Sequence, residues 1–63
     1  MRTVFDNIKE ICEKKNISIR ALERESGLGN GTIARWEVSS PNVASLAKVA
    51  DALDVTVSQL MKR

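Results

Sequence analysis

Apolar residues recur along this chain at intervals of three and four positions, which places them on one face of an α-helix. Val4, Ile8 and Ile11 form the first such stripe. The chain has 63 residues, so its helices must share one small core. The short run 55–57 is the only candidate for a strand, and it is too short to form a sheet. The pattern therefore predicts one all-α domain over residues 1–63.

Capping residues and turn residues divide this pattern into five predicted helices. Ser, Thr and Asn side chains accept a hydrogen bond from the first turn of a helix, so they mark helix starts. The predicted caps are Thr3, Ser18, Asn42 and Thr56. The predicted helices run from Val4 to Lys15, from Ile19 to Glu25, from Gly29 or Asn30 to Val38, from the cap Asn42 to Leu53, and briefly after Thr56. Val43 is expected to face the core, together with Leu46 and Val49.

The composition offers little for catalysis or for metal binding. The sequence contains no histidine and one cysteine, Cys12, so it predicts no metal site, no cofactor and no enzyme activity. A single thiol suits a reducing cytoplasm, and no apolar run is long enough to span a membrane. The formal net charge of +2 permits nucleic-acid binding without indicating it. We therefore expect a cytoplasmic protein with no membrane partner.

The most informative stretch runs from Ser18 to Glu37, where two short predicted helices are joined by a tight turn at Gly27. This is the layout of a helix-turn-helix. Leu22, Leu28 and Ile33 are spaced to pack between the two helices. The second of these helices then exposes a polar side.

The residues on that polar side suit the edges of base pairs. Arg35 can pair with guanine O6 and N7, and Asn30 can pair with adenine or hold a phosphate. Thr32 can donate to a phosphate or touch a thymine methyl group. Gly31 would let the backbone approach DNA closely, although it could instead belong to a loose helix start. Trp36 is expected in the core. We therefore predict base contacts by Asn30, Gly31, Thr32 and Arg35.

The charged residues of the second predicted helix have two interpretations. Arg20 and Arg24 alternate with Glu23 and Glu25, which is typical of a solvated face with weak ion pairs. Arg20 is also a candidate for a phosphate contact, because it lies near the start of the helix.

The order of these features resembles the Cro/phage-repressor family, also called the XRE type of helix-turn-helix. The resemblance extends from about Asn7 to Met61 and suggests small regulators of Gram-positive bacteria and their phages. It rests on residues in a fixed order and spacing: Leu22, Gly27, Leu28, Thr32, Ile33, Arg35, Trp36, Glu37, Pro41, Asn42, Leu46, Lys48, Ala50, Leu53, Val55, Thr56 and Leu60.

The resemblance implies a compact five-helix, lambda-repressor-like domain that reads the major groove with the helix from Asn30 to Trp36. It also implies phosphate contacts at the starts of the second and fourth helices, namely at Ser18, Ile19, Ser39, Ser40 and Asn42. Ile19 departs from the family, which often has a polar residue there. The chain also lacks a basic residue between Arg35 and Lys48.

The predicted function is sequence-specific binding of double-stranded operator DNA by a transcriptional regulator, acting as a homodimer on DNA. Val57, Leu60 and Met61 are candidates for the dimer surface. An alternative is a protein-interaction module or an antitoxin component with the same fold, which Ile19 and Gly31 favour. A helical bundle without a ligand is the second alternative. A further domain after Arg63 is compatible with the sequence.

Overall fold

Capped helices account for most of the architecture in the computed structural model, which describes residues 3–62. Within that range the protein has four α-helices, one short 3₁₀ helix and no strand. The elements are α1 (Val4–Lys15), α2 (Ile19–Ser26), the 3₁₀ helix (Ala34–Glu37), α3 (Val43–Leu53) and α4 (Val57–Leu60). The all-α prediction is confirmed, whereas the prediction of five α-helices is wrong.

The predicted caps hold the helix starts. The Oγ1 atom of Thr3 accepts the N–H of Asp6 at 3.1 Å, and the Asp6 carboxylate accepts the N–H of Thr3 at 3.0 Å. The Ser18 hydroxyl accepts the N–H of Ala21 at 3.0 Å, and the Oδ1 atom of Asn42 accepts from Ser45 at 2.8 Å. A second reciprocal pair, Thr56 with Gln59, opens α4. These bonds satisfy donors that have no partner within the helix, so each of the four α-helices begins where the sequence predicts.

Left-handed residues end three of the helices. Asn16 closes α1 with φ of 60°, Gly27 closes α2 with φ of 75°, and Asp54 closes α3 with φ of 58°. Such a residue turns the chain away from the helix axis while its N–H still bonds to the last turn. The resulting sharp turns bring successive helices back onto one core.

The core joins all five elements. Helix α2 packs on α3, and α1 packs on the 3₁₀ helix, on α4 and on α2. The buried apolar residues are Ile8, Cys12, Leu22, Ile33, Trp36, Leu46, Val49, Ala50, Leu53 and Leu60. Val43, which was expected to face inward, is 76% exposed. Side chains lean toward the N-terminus of a helix, so the first residue of α3 points past its end into solvent.

The predicted third helix is the largest departure from the sequence-based interpretation. Gly31 has φ of +80°, which no α-helical residue adopts, so residues 30–33 form turns and helical hydrogen bonding starts later. The N–H of Thr32 donates to Gly29 at 3.2 Å and the N–H of Trp36 donates to Ile33 at 3.0 Å, both over three residues. Only a short 3₁₀ helix remains of the expected helix from Asn30 to Val38.

None of the helices in the described part of the chain is long and apolar enough to cross a membrane.

Candidate nucleic-acid interface

Residues 29–37, which we call the recognition segment, have one buried side and one exposed side. Ile33 is fully buried and Trp36 is 7% exposed, so both side chains anchor the segment in the core. Asn30, Gly31 and Arg35 are exposed, and Thr32 is half-buried. The predicted base-contacting residues therefore lie in one short segment that is open to solvent except at Thr32, and the structure confirms Trp36 as a core residue.

A buried carboxylate from α2 fastens the start of this segment. Glu23 is 4% exposed. Its Oε1 atom accepts the N–H of Gly31 at 3.2 Å, and its Oε2 atom accepts the N–H of Ile33 at 2.9 Å. Hydrogen bonds to a charged acceptor are stronger than bonds between neutral groups. The prediction that Glu23 belongs to a solvated face of weak ion pairs is therefore wrong.

Helical spacing carried a signal for the burial of Glu23 that the sequence-based interpretation missed. Glu23 follows Ile19 by four positions and precedes Ser26 by three, so all three share one face of α2. Ile19 packs against the core, and Ser26 is buried with its hydroxyl donating to the carbonyl of Leu22. The backbone partners of Glu23 could not be predicted, because they depend on the conformation of the following turn.

The predicted phosphate-contacting residues lie at the start of α2 and in the segment that leads into α3. Ser18, Arg20, Ser39, Ser40 and Asn42 are exposed, whereas Ile19 is half-buried.

Several of these side chains also have a structural role. The polar side-chain atoms of Ser18 and Asn42 cap their helices, and the Ser39 hydroxyl donates to the carbonyl of Arg35 at 3.1 Å. At the start of α2, the N–H groups of Ile19 and Arg20 have no acceptor within the helix. Their contacts with phosphate remain a prediction.

The conformation of Gly31 accounts for the presence of a glycine there. Its φ of +80° lies in the left-handed region that disfavours residues with a Cβ atom. Apart from Gly31 itself and its two chain neighbours, no heavy atom of the described residues lies within 4 Å of the position that a Cβ atom would occupy. Of the two interpretations left open by the sequence, the irregular start of the helix is therefore sufficient to explain Gly31.

The one cysteine of the chain lies away from this surface. Cys12 is 2% exposed in the core, and burial raises the pKa of its thiol above the ordinary value of 9.0. Cys12 is therefore one of the small side chains that fill the core.

Comparison with known proteins identifies the family. A family model described as helix-turn-helix matches residues 8–60. The chain belongs to the helix-turn-helix family. This result, together with the likeness to a phage-type repressor described next, confirms the resemblance to the Cro/phage-repressor type, while the suggested Gram-positive source remains a prediction.

Solved structures of helix-turn-helix proteins are similar to this one. The P22 c2 repressor protein, in a crystal structure with a synthetic operator and Tl+, is 25% identical with a TM-score of 0.85, and the match covers 98% of this chain and 97% of that chain. A hypothetical transcription factor from Neisseria, NHTF, is 24% identical with a TM-score of 0.86, covering 94% of this chain and 70% of that chain.

The DNA-binding domain of the P22 c2 repressor in solution is also 24% identical, with a TM-score of 0.84 and coverage of 94% of this chain and 80% of that chain. No curated protein matches the chain. The similarity to NHTF and to the solution structure supports the fold alone, whereas the family match covers most of the sequence.

Proposed function

We propose that this chain is a transcriptional repressor that binds double-stranded operator DNA sequence-specifically and places its recognition segment in the major groove. The observation that carries the proposal is the two-sided segment, with Ile33 and Trp36 buried and with Asn30 and Arg35 exposed. Membership of the helix-turn-helix family supports a DNA-binding transcriptional regulator. The likeness to the P22 c2 repressor, which is bound to an operator in its crystal structure, supports it further.

The exposed side chains of the recognition segment would supply the sequence preference. The guanidinium of Arg35 would donate to guanine O6 and N7, and the amide of Asn30 would pair with adenine. The methyl group of Thr32 would touch thymine, which suits its half-buried position. Gly31 would contribute by allowing the backbone to come close to the base edges.

Contacts at two helix starts would fix the position of the segment on the duplex. The first turn of α2 offers the N–H groups of Ile19 and Arg20, next to the exposed side chain of Arg20. The exposed residues Ser39, Ser40 and Asn42 would approach a second phosphate before α3. Ile19 would contribute only its backbone, since its side chain packs on the core.

Binding as a homodimer would compensate for the low charge of the chain. With a net charge of +2, one copy would make few phosphate contacts and bind weakly. Two copies on half-sites about 34 Å apart would double the contacts. The predicted dimer surface needs correction, because Leu60 is fully buried and Val57 is half-buried.

Met61 and Val38 are 56% and 90% exposed and line the same surface groove, so a dimer contact would use these apolar side chains. Glu37 and Lys62 also line this groove, and a twofold arrangement that sets Glu37 of one copy against Lys62 of the other would pair opposite charges across it.

A protein-interaction module on the same fold is the competing function. The features that favoured it were Ile19 and Gly31, where polar side chains are common in the family. The structure gives both a local explanation, because Ile19 packs on the core and Gly31 adopts a left-handed backbone. DNA binding is therefore the better supported function. It would take place in the cytoplasm, where an unpaired thiol such as Cys12 stays reduced.

The test combines selection of a bound duplex from a random pool with a mobility-shift titration of Arg35→Ala. We expect this change to weaken binding by about 1–3 kcal/mol and to relax the preference at one base pair, because a bidentate contact with guanine is lost. Lys9→Ala is the matched control, since it removes one exposed positive charge from α1, outside the predicted interface. We expect it to keep the base preference of the unmodified chain.

Two outcomes would contradict the proposal. Arg35→Ala with unchanged affinity and unchanged base preference would remove the recognition segment from the interface. Affinity for the selected duplex that does not fall with added salt would contradict the proposed phosphate contacts, because release of counterions makes such binding steeply salt-dependent.

A further inference from the structure

We propose that Glu23 is a positioning residue for DNA reading, whose carboxylate fixes the backbone of the recognition segment and thereby sets its base preference. This inference rests on the proposed function. Glu23 is buried and would touch no base, so it would act only through the residues that it holds.

We call the two hydrogen bonds that Glu23 accepts from Gly31 and Ile33 the clamp. The two carboxylate oxygens of Glu23 accept hydrogen bonds from two different N–H groups, at 3.2 Å to Gly31 and at 2.9 Å to Ile33. These donors flank Thr32, and the first of them follows Asn30. One carboxylate therefore constrains the part of the backbone from which both side chains project. The burial of Glu23 excludes water that would compete for these bonds.

The recognition segment needs such a clamp because its own hydrogen bonds are irregular. Bonds over three residues, from Thr32 to Gly29 and from Trp36 to Ile33, alternate with one over four residues, from Arg35 to Gly31. Bonds over three residues have poorer geometry than those of an α-helix. Gly31 adds to this irregularity, because glycine has more backbone freedom than any other residue type. Without the clamp, this freedom would have to be lost on binding, which weakens the recognition of a specific site.

The charge of Glu23 gives the proposal a distinctive consequence. A carboxylate next to a DNA-binding surface repels phosphates, so removing its charge should leave binding to unrelated DNA unchanged or strengthen it. Loss of the clamp should at the same time weaken binding to the preferred site. A purely structural role predicts instead that both affinities fall together, in proportion to the unfolded fraction.

Glu23→Gln is the decisive variant, because it keeps the shape of the side chain and removes both the charge and one acceptor. Affinities are measured for the selected duplex and for an unrelated duplex of equal length, at a temperature where circular dichroism shows the variant folded. We expect the ratio of the two affinities to fall at least about tenfold, which is about 1.4 kcal/mol. An unchanged ratio in the folded variant would overturn the proposal.

Glu25→Gln is the matched control. Glu25 lies on the same helix, carries the same charge and is exposed. We expect this variant to keep the affinity ratio of the unmodified chain. A fall in the ratio equal to that of Glu23→Gln would assign the effect to helix charge and would overturn the positioning role.

Hydrogen exchange in the unmodified, DNA-free chain tests the clamp by itself. We expect the amide protons of Gly31 and Ile33 to exchange more slowly than that of Asn30, which has no acceptor among the described residues. Fast exchange at Gly31 and Ile33 would overturn the proposal even if Glu23→Gln failed to fold. Slow exchange in a chain that binds no DNA would refute the proposed function, and with it the link to base preference, while the clamp itself would stand.

Discussion

Two glycines of the recognition segment differ in what their backbone requires. Gly31 is left-handed with φ of +80°, whereas Gly29 is not, and a Cβ atom on Gly29 would lie 3.6 Å from Thr32 Oγ1, an ordinary contact. We expect Gly31→Ala to lower the free energy of unfolding by about 1–2 kcal/mol, because an L-residue is disfavoured in this region. Urea denaturation measures the change.

Gly29→Ala is the control for this prediction. It removes the same conformational freedom from the unfolded chain without straining the folded one, so stability should be unchanged or rise by up to about 1 kcal/mol. Equal destabilisation by the two alanine substitutions would contradict a left-handed backbone at Gly31.

At the scale of single residues, the sequence identified most of the side chains that matter but not all of their roles. Asn30 and Arg35 were expected to be exposed and are, because the apolar residues Ile33 and Trp36 anchor the segment from its other side. Gly31 was noticed as unusual for a helix, yet its positive φ depends on the path of the turn. Glu23 was missed because its partners lie 8 and 10 residues away, beyond that turn.

Among the helices, α4 depends most on the rest of the molecule. It has four residues, which is too short to persist alone. Leu60 is buried, and the side-chain amide of Asn7 in α1 donates to the carbonyls of Leu60, at 2.8 Å, and of Lys62. Asn7 itself is 7% exposed, and its bond to Leu60 is buried. The side chain of Asn7 therefore helps to fasten the last helix to the first.

We expect Asn7→Ala to lower the free energy of unfolding by about 1–3 kcal/mol, because it leaves the carbonyl of Leu60 without this buried donor. Hydrogen exchange should also speed up at Met61, whose N–H bonds within α4. Asn30→Ala removes the same side chain from an exposed position, so it should change stability by less than about 0.5 kcal/mol. Unchanged stability in Asn7→Ala would show that α4 is held by apolar packing alone.

Helices were predictable where a capping residue and an apolar stripe agree. The start and end of α1 and the last residue of α3 match the expected positions, because Thr3 and Asn42 cap helices whose inner faces repeat every three or four residues. The recognition segment has buried residues at the right spacing as well, namely Ile33 and Trp36. Spacing by three does not distinguish an α-helix from a 3₁₀ helix, so the sequence-based interpretation made this element too long.

At the scale of the whole molecule, the core is small and every element contributes to it. The radius of gyration is 10.2 Å for the Cα atoms, and the buried residues come from all five elements. Periodicity was sufficient to predict the all-α class and most of this core. The packing of α1 on the 3₁₀ helix was not predictable, since it depends on how the turn after Gly27 directs the chain. A core that all elements share should open as a unit.

Ionisation of the Cys12 thiol should make the free energy of this cooperative unfolding depend on pH. Burial raises the pKa of its thiol above 9.0, so the folded state retains its proton over a range in which the unfolded state has lost it. The contribution of Cys12 to stability is therefore complete below pH 9.0 and declines as the pH rises from there toward the raised pKa of the folded state.

We expect the free energy of unfolding, measured by urea denaturation between pH 8 and pH 10, to fall more steeply for the unmodified chain than for Cys12→Ala. Both chains carry the same lysines, so the difference between the two slopes isolates the thiol. Parallel slopes would mean that Cys12 ionises as easily in the folded protein as in the unfolded chain, in contradiction to its burial at the centre of the core.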